Sequence, residues 1–531
     1  MQDKGSILNN KYFLYATEFF GGMSVMAVEL GASRLLAPYF SSSQIVWTVI
    51  IGTIMIAMAL GNIWGGRSAD KNPDPAKLYM RLLIAAVWVA AIPFVGKYVI
   101  AGVTLLIASF VQKNFLIWAS LLSCLVLFVF PLMLLGTITP SLAKYTVKDL
   151  EQNGAVVGKL GALNTIGSII GTFLPTFVTI PTVGTAATFI IFASILALLS
   201  ICYFFSRKIK LVKSLVSVIL IIIFCISSVK TGFAFWEEDL VYEGESIYNY
   251  LQVSEDDEKV VLSTNVMIGI QSVMRKDGKL TGMYYDYALA AGYMAGLDKK
   301  QEKDLLILGM GTGTYAALCT KYFPGVRIQG VEIDEKIADL AKKYFELPDS
   351  VNISVEDGRA YLRNAKKYDV IMVDAYQDIT IPFQMSTVEF FTSVKEHLKK
   401  NGVMVVNMNM KSDREDSIND YLQDTIASVF SNVYTVEDSS GSNLELFASM
   451  NGDMIHQFEN SLPEISNFPL REMMKKVNGN LHEVTGKGRI LTDDKAPVEV
   501  LGMKVIDDLI SKELEYYRGI IKRGEWEKIF E

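Results

Sequence analysis

The sequence predicts a chain of two parts. An N-terminal all-α bundle of membrane-spanning helices is followed by a C-terminal α/β, doubly wound domain with a small antiparallel β subdomain at its start. Three observations carry this. Apolar stretches of spanning length succeed one another up to Lys230. Charge then changes sign: 17 Lys/Arg and 7 Asp/Glu up to Gly232 give +10, and the remaining 33 and 50 give −17, together the −7 of the 531-residue chain. From Asp304 onward, strand-like and helix-like patterns alternate. This length favours two or more domains, and the boundaries are placed at 1–232, 233–283 and 284–531.

The apolar stretches, about 20 residues each as a bilayer requires, lie near 12–36, 45–66, 78–97, 115–136, 155–178, 184–205 and 212–230. A soluble core supplies one or two such runs; about seven in series call for a lipid bilayer. Segment 98–112 follows the third without a loop and reads as an interfacial piece. The first stretch is no cleavable signal, because it is long, carries Glu18 and Glu29, and precedes no small-residue cleavage site. A charge in a span costs about 2.5–3.5 kcal/mol even on insertion scales, so it needs a partner or a task. Glu29 and Arg34, five apart, can pair; a polar path for a cationic substrate is the alternative. GNIWG (61–65) and GSIIG (167–171) are small-xxx-small patterns that let helices approach closely. The stretch GNIWGGRSADKNPD (61–74) is similar to the inner loop after the second span of major facilitator transporters, a family of about twelve spans.

With the N-terminus inside, thirteen Lys/Arg fall on the inner face and Arg34, Lys97, Lys113 and Lys230 on the outer. Seven spans then put everything after Lys230 outside. The four cysteines, three of them in apolar stretches, form no disulfide framework. His397, His456 and His482 have no metal-ligand spacing, so no metal is expected.

After Trp236 the pattern changes to short strands, YNYLQVSEDD, KVVLSTN and GIQSVMRKDGKL, which read as a small antiparallel sheet at about 238–282. YYDYALAAGYMAGL (284–297) reads as a helix. The alternation LLILG, TYAALCTKYF, RIQGVEID, EKIADLAKKYF, NISVED, GRAYLRNA, YDVIMVDAY, TVEFFTSVKEHLKK, GVMVVNMN then argues for a parallel sheet with helices on both faces. Gly309, Gly311 and Gly313 follow the first of these strands and open a helix, where ligands of open α/β sheets bind. No GxxxxGK[ST] is present, which excludes a nucleotide P-loop. Glu332, Asp357 and Asp374 end three consecutive strands: Glu332 is placed for ribose hydroxyls, Asp357 for an adenine amine, and Asp374 faces the same crevice. Three carboxylates suit an adenosine thioether and would repel a pyrophosphate.

At these residues the sequence resembles the spermidine synthase (polyamine aminopropyltransferase) family, in particular its membrane-fused branch. The resemblance runs through SIYNYLQV, LTGMYYDY, LLILGMGTG, GVEID, VEDGRAYL, YDVIMVDAY, IPFQMSTVEFF and ILTDDKAPVE. In the membrane half ELGASRLLAPYF, WTVIIG, LLGTITPSLAKY and GKLGALNTIGSIIGTF match the same branch. It implies a Rossmann-like, S-adenosylmethionine-methyltransferase-like fold. Decarboxylated S-adenosylmethionine, or S-adenosylmethionine itself, would be the co-substrate, and a polyamine or other small amine the acceptor. It implies Asp374 as the general base that deprotonates the attacking amine. The donor would be held by Asn249, Gly309, Gly311, Thr312, Gly313, Glu332, Asp357 and Gly358. Tyr285, Asp286 and Asp378 would line the acceptor side.

Two departures bear on substrate. The family's loop is usually GGGDG, whose Asp holds the aminopropyl ammonium; here that position is Thr312. The family's DSSDPxGP has become DAYQDITIP. Three readings follow: an aminopropyltransferase, an S-adenosylmethionine-dependent methyltransferase, or a nucleoside- or polyamine-binding module attached to a transporter-like bundle. Ile307, where methyltransferases often place an acid, speaks against the second. In the third, Glu18 and Glu29 would line the path. The acidic half suits cationic partners, and no nucleic-acid partner is expected. The C-terminal KVIDDLISKELEYYRGIIKRGEWEKIF reads as an amphipathic helix that packs on the domain or on a second copy in a homodimer. The location is the cell membrane, multi-pass; the charge count puts the soluble domain outside, whereas the donor chemistry puts it in the cytoplasm.

Overall fold

A computed structural model describes residues 11–523, apart from 41, 112, 147–152, 231, 238, 267–269, 300–301, 376–380, 410–414, 440 and 442. It divides into two units. One holds the residues up to Glu237 with Glu243–Tyr250 and Asn265–Met267; the other holds Glu238–Tyr242, Leu251–Thr264 and everything from Ile268.

The first unit is helical: α1 (Lys11–Phe40), α2 (Gln44–Lys71), α3 (Pro75–Phe110), α4 (Phe115–Gly136), the short α5 (Ile138–Thr146), α6 (Asn153–Leu174), α7 (Ile180–Arg207) and α8 (Leu211–Lys230). Among the described residues six helical stretches are long and apolar enough to cross a membrane. One of them, Gly154–Arg207, passes through a π-helical turn at Pro175–Thr179 and breaks at Gly184 (φ 82°), a conformation open to a residue without a Cβ. Residues 98–110 of the segment read as an interfacial piece continue α3. That segment offers no turn signal, so the helical ladder runs on to Val111, whose N–H donates to the Ile107 carbonyl (2.8 Å).

The small-xxx-small residues lie where helices cross. A Cβ at Gly167 or Gly171 of α6 would strike the Phe19 and Met23 carbonyls of α1, and one at Gly61 of α2 would strike the Met133 carbonyl of α4. Glu18 is buried in α1 and accepts from Thr139 Oγ1 (2.5 Å) and Asn164 Nδ2 (3.0 Å). Arg34 donates to the carbonyls of Ser246 and Ile247, partners that sequence spacing did not point to.

The small sheet has the order β1 (Leu240–Glu245), β2 (Tyr250–Glu255), β3 (Lys259–Ser263), β4 (Ser272–Arg275). Its last three strands pair antiparallel. The helix expected over 284–297 is two short ones, α9 (Tyr284–Ala288) and α10 (Ala290–Met294). Between them i→i+3 bonds take over, as from Gly292 N–H to the Leu289 carbonyl (3.0 Å).

The alternating region forms β5 (Lys303–Leu308), α11 (Thr314–Tyr322), β6 (Val326–Glu332), α12 (Glu335–Tyr344), β7 (Asn352–Val355), α13 (Gly358–Leu362), β8 (Tyr368–Val373), α14 (Val388–Glu396) and β9 (Leu398–Met408). The Leu398-Lys-Lys piece that helical periodicity had assigned to α14 opens β9 instead. Beyond it come α15 (Ile418–Ala427), β10 (Asn432–Glu437), β11 (Leu444–Ser449), α16 (Met454–Ser461), α17 (Phe468–Gly479), β12 (His482–Glu483) and α18 (Val498–Arg523).

The large sheet has the order β12-β10-β11-β9-β8-β5-β6-β7. Strands β9, β8, β5, β6 and β7 are parallel, and β11, β10 and β12 add an antiparallel edge. The sheet is therefore mixed, not wholly parallel as the alternation implied. Every residue of β8 is buried, as a strand covered on both faces requires.

Candidate active site

Chain order reverses at β5, which lies between β8 and β6, and ligands of such sheets bind outside the carboxyl ends at that point. The loop after β5 carries Gly309, Gly311 and Gly313 at φ 80°, 56° and 82°, values that strain any residue with a side chain. A Cβ on Gly309 would lie 2.5 Å from the Asp374 carbonyl oxygen and 2.6 Å from Ala375 Cα, so this glycine lets the loop lie against the end of β8. On its other flank the N–H groups of Gly309 and Met310 donate to the Val331 carbonyl (2.9 and 3.0 Å).

Glu332 closes β6 and is buried. Its Oε2 accepts from Gly311 N–H (2.9 Å) and its Oε1 from Asp334 N–H (3.0 Å), so it clasps the glycine loop while keeping lone pairs for further donors. Burial pushes its carboxyl up, and those backbone donors pull the other way. Asp357 follows β7 and caps α13, accepting from Ala360 N–H (2.8 Å), with Gly358 as the first helical residue. Thr312 is fully buried. Its N–H donates to Ser272 Oγ (3.4 Å), while its hydroxyl oxygen has no hydrogen-bond partner among the described residues.

Asp374 stands at the end of β8, held from both sides. Tyr284 Oη donates to its Oδ2 (2.6 Å) and Asn407 Nδ2 to its Oδ1 (2.9 Å). Burial pushes the Asp374 carboxyl up to about 7 against the pull of these two bonds, and the Glu332 charge adds to the rise. The Tyr284 phenol is pushed far above its ordinary value, first by burial and then by Asp374, so it stays a donor. The Tyr285 ring lies tilted against that of Tyr284 (4.0 Å between centroids, 36° between planes) and its hydroxyl donates to the Gln271 carbonyl (2.9 Å).

Asp286 is buried and accepts from Thr281 N–H and Oγ1 (both 3.1 Å) and Gly282 N–H (2.7 Å), which braces the turn leading into α9. Asn249 lies in the tip of the β1–β2 hairpin, which goes with the helical unit. There its N–H donates to Ser246 Oγ (2.9 Å) and its carbonyl accepts from Ser246 N–H (2.8 Å). Asp378 falls in 376–380, outside the described residues. Among the described residues no three His, Cys, Asp or Glu side chains gather as a metal site.

Sequence reading missed Tyr284 and Asn407. Both carried a usable signal: Tyr284 sits beside Tyr285 in YYDY, and Asn407 is a polar residue ending an apolar strand, the mark that singled out Asp374.

Residues 286–437 match the Spermine/spermidine synthase domain family. A probable polyamine aminopropyl transferase of Bifidobacterium longum is 51% identical over 340 residues, covering 60% of this chain and 75% of that protein. The chain belongs to the polyamine aminopropyltransferase (spermidine synthase) family. Its members are transferases of alkyl groups other than methyl. A polyamine aminopropyltransferase of Vibrio vulnificus is 27% identical over 292 residues, 51% of this chain and 93% of its own length. The crystal structure of a probable spermidine synthase from Corynebacterium glutamicum covers 44% of this chain and 94% of its own, at 21% identity and a TM-score of 0.36, too slight a likeness to argue from. In this aminopropyltransferase-family chain the matched domain contains the glycine loop, Glu332, Asp357, Asp374 and Asn407, whereas Tyr284 comes from just ahead of it.

Proposed function

We propose that this protein is a membrane-bound aminopropyltransferase that moves an aminopropyl group from an adenosyl sulfonium donor to a polyamine or related amine, with Asp374 as general base. The observation that carries the reading is the Tyr284–Asp374–Asn407 constellation beside the glycine loop. A base serves best when its pKa is near the working pH. With the carboxyl at about 7, about half the molecules hold the base form at neutrality.

In the reaction the acceptor nitrogen gives its lone pair to the aminopropyl carbon attached to sulfur. The N–C bond forms, the C–S bond breaks, and its electron pair returns to sulfur, which leaves as a neutral thioether. The proton lost from nitrogen goes to Asp374 Oδ. Glu332 and Asp357 are the groups for the ribose and the adenine. Before transfer, the negative charge of Asp374 and Glu332 attracts a cationic amine. Thr312 bears on donor choice: a hydroxyl has no charge to pair with the ammonium of a decarboxylated donor, and it tolerates a donor that keeps its carboxylate.

Six apolar helices of spanning length support a bilayer location for the first unit. A reporter fused after Glu531 tests its sidedness: activity confined to a cytoplasmic reporter fits the donor chemistry, and activity of an exported one fits the charge count.

The deciding assay supplies the full-length protein in detergent with S-adenosylmethionine or its decarboxylated form and a mixture of amines. Methylthioadenosine released only when an amine is present establishes the transfer. S-adenosylhomocysteine instead would show methyl transfer, and neither product, with a nucleoside still bound, would make the domain a binding module.

A further inference from the structure

We propose that Glu18 is a monovalent-cation site of the helical unit, taking up and releasing a proton or a sodium ion inside the bundle. The site is independent of the aminopropyl-transfer reading and gives the first unit a task of its own.

Glu18 lies on α1, one of the six helices long and apolar enough to cross a membrane, about 10 Å along the axis from Lys11. It is 0% exposed. A buried carboxyl in such a helix is costly, and where one persists it has a partner or a task. Its partners satisfy one oxygen only. Oε1 accepts from Thr139 Oγ1 of α5 (2.5 Å) and Asn164 Nδ2 of α6 (3.0 Å). Oε2, also buried, has no hydrogen-bond partner among the described residues, a rare condition for a polar atom out of water.

The surrounding chain is arranged to make the two contacts on Oε1. Hydroxyls inside helices often bond back to the carbonyl four residues earlier, as Thr165 and Thr172 of α6 do. Thr139 stands second in α5, after the break at Thr137, and donates to Glu18 instead. One turn along α1 from Glu18, a Cβ on Gly22 would lie 2.5 Å from the Asn164 carbonyl oxygen, so a glycine there lets α6 come close enough for Asn164 to reach the acid.

Among the described residues no charged side chain acts on Glu18. On α5, Lys144 bridges to Asp70 of α2 (2.9 Å), and on α6, Lys159 lies over the Tyr15 ring (4.5 Å to its centroid). Tyr79 of α3 meets Thr17 Oγ1 (3.1 Å). On α1 itself Lys11 and Glu29 stand about two and three turns away. What completes Oε2 is therefore a cation from outside the chain. One carboxylate with no second acid beside it matches a single charge, whereas divalent ions gather several carboxylates and carbonyls. An amide could accept both bonds through its carbonyl oxygen; what an acid adds is a cation that it can lose. The way out passes Thr139 and Asn164, which are half-buried while Glu18 is sealed.

The test is infrared difference spectroscopy of the full-length protein in detergent, wild type against Glu18→Gln, in choline chloride and in sodium chloride. A proton on Oε2 gives an un-ionised carboxyl band in choline that wild type shows and the variant lacks. That band is expected to shift in D2O and to give way to a carboxylate band at alkaline pH. A sodium ion gives instead a carboxylate band that moves when sodium is added, with a rise in melting temperature that Glu18→Gln lacks. Either result supports the site and tells the two cations apart. A carboxylate in choline that ignores sodium, or an un-ionised acid that neither exchanges in D2O nor ionises, would show a fixed structural group and overturn the proposal. Should Glu18→Gln not fold, Glu18→Asp serves: the band assigned to Glu18 should change frequency, and an unchanged spectrum would place it on another acid and sink the idea.

Discussion

Replacing Tyr284 by Phe removes one hydroxyl and with it the 2.6 Å bond to Asp374 Oδ2. That bond favours the ionised form of Asp374, so its loss must raise the carboxyl further above about 7. A hydrogen bond to a charged group contributes about 1.5–3 kcal/mol, equivalent to roughly 1–2 pKa units. The acid limb of kcat/KM for the amine, expected near pH 7 in wild type from the Asp374 value, should move to roughly pH 8–9 in Tyr284→Phe. At pH 7 the base form then falls from about half to between roughly one-tenth and one-hundredth of the molecules, and activity falls with it. The loss should shrink as pH rises and be largely recovered on the alkaline side. The assay is methylthioadenosine release against pH, from about 5.5 to 9.5, at saturating donor. A variant whose limb stays at the wild-type pH, with the same loss at every pH, would show that Tyr284 does not tune Asp374.

The remaining predictions address base, loop and framework. Asp374→Asn should lower kcat by about 10²–10⁴, the usual share of a general base, measured as methylthioadenosine formed per enzyme. The same residue predicts a pH effect on stability. Its carboxyl moves from 3.8 to about 7 on folding, so its contribution is full below the lower value and lost as pH passes the upper, about 4 kcal/mol in all. Apparent melting temperatures of Asp374→Asn should lack that fall between those pH values. Glu332→Gln should weaken methylthioadenosine binding and reduce stability by about 1–3 kcal/mol, because the new amide cannot accept from both Gly311 and Asp334 N–H at once without exposing a donor to one of them. Gly309→Ala combines a positive φ with a Cβ pressed onto the Asp374 carbonyl; a loss of about 1–3 kcal/mol from backbone strain, with activity falling alongside, is expected in thermal melts and turnover. Asp304 is buried beneath Arg327, Lys366 and Lys399, whose hydrogen bonds overcome burial and hold its carboxyl below the ordinary range. Its stabilisation is therefore present above 3.8 and lost as pH falls further, and Asp304→Asn should remove that acid dependence from the melting curve.

Sequence alone determined what local pattern can encode. Apolar length separated a helical half from an α/β half, because apolar runs of about twenty residues and covered strands of about six differ in length and period. Period and glycine placement located β5, its loop and α11, since a positive φ at Gly309, Gly311 and Gly313 is written in residue type. Acids closing buried apolar strands marked Glu332 and Asp374, because a charge closes a buried run where the chain meets the crevice, whereas Asp357 follows the half-exposed β7. What came from tertiary structure was partnership. Nothing local to YDVIMVDAY says that a tyrosine 90 positions earlier and an asparagine 33 positions later hold Asp374, or that burial brings it to about 7. Nor could YYDY show that Asp286 accepts from Thr281 and Gly282 while the Tyr284 hydroxyl donates to Asp374. The antiparallel edge escaped because β10 and β11 lie close together in the chain, inside a region whose helices had set the expected rhythm. Glu445 escaped with it: a glutamate between two leucines reads as the solvent face of an edge strand. Only the ladder that sets it opposite Asn407, together with the layer covering it, turns that residue inward. Periodicity reports which residues share a face, but which face is buried depends on chain from far away.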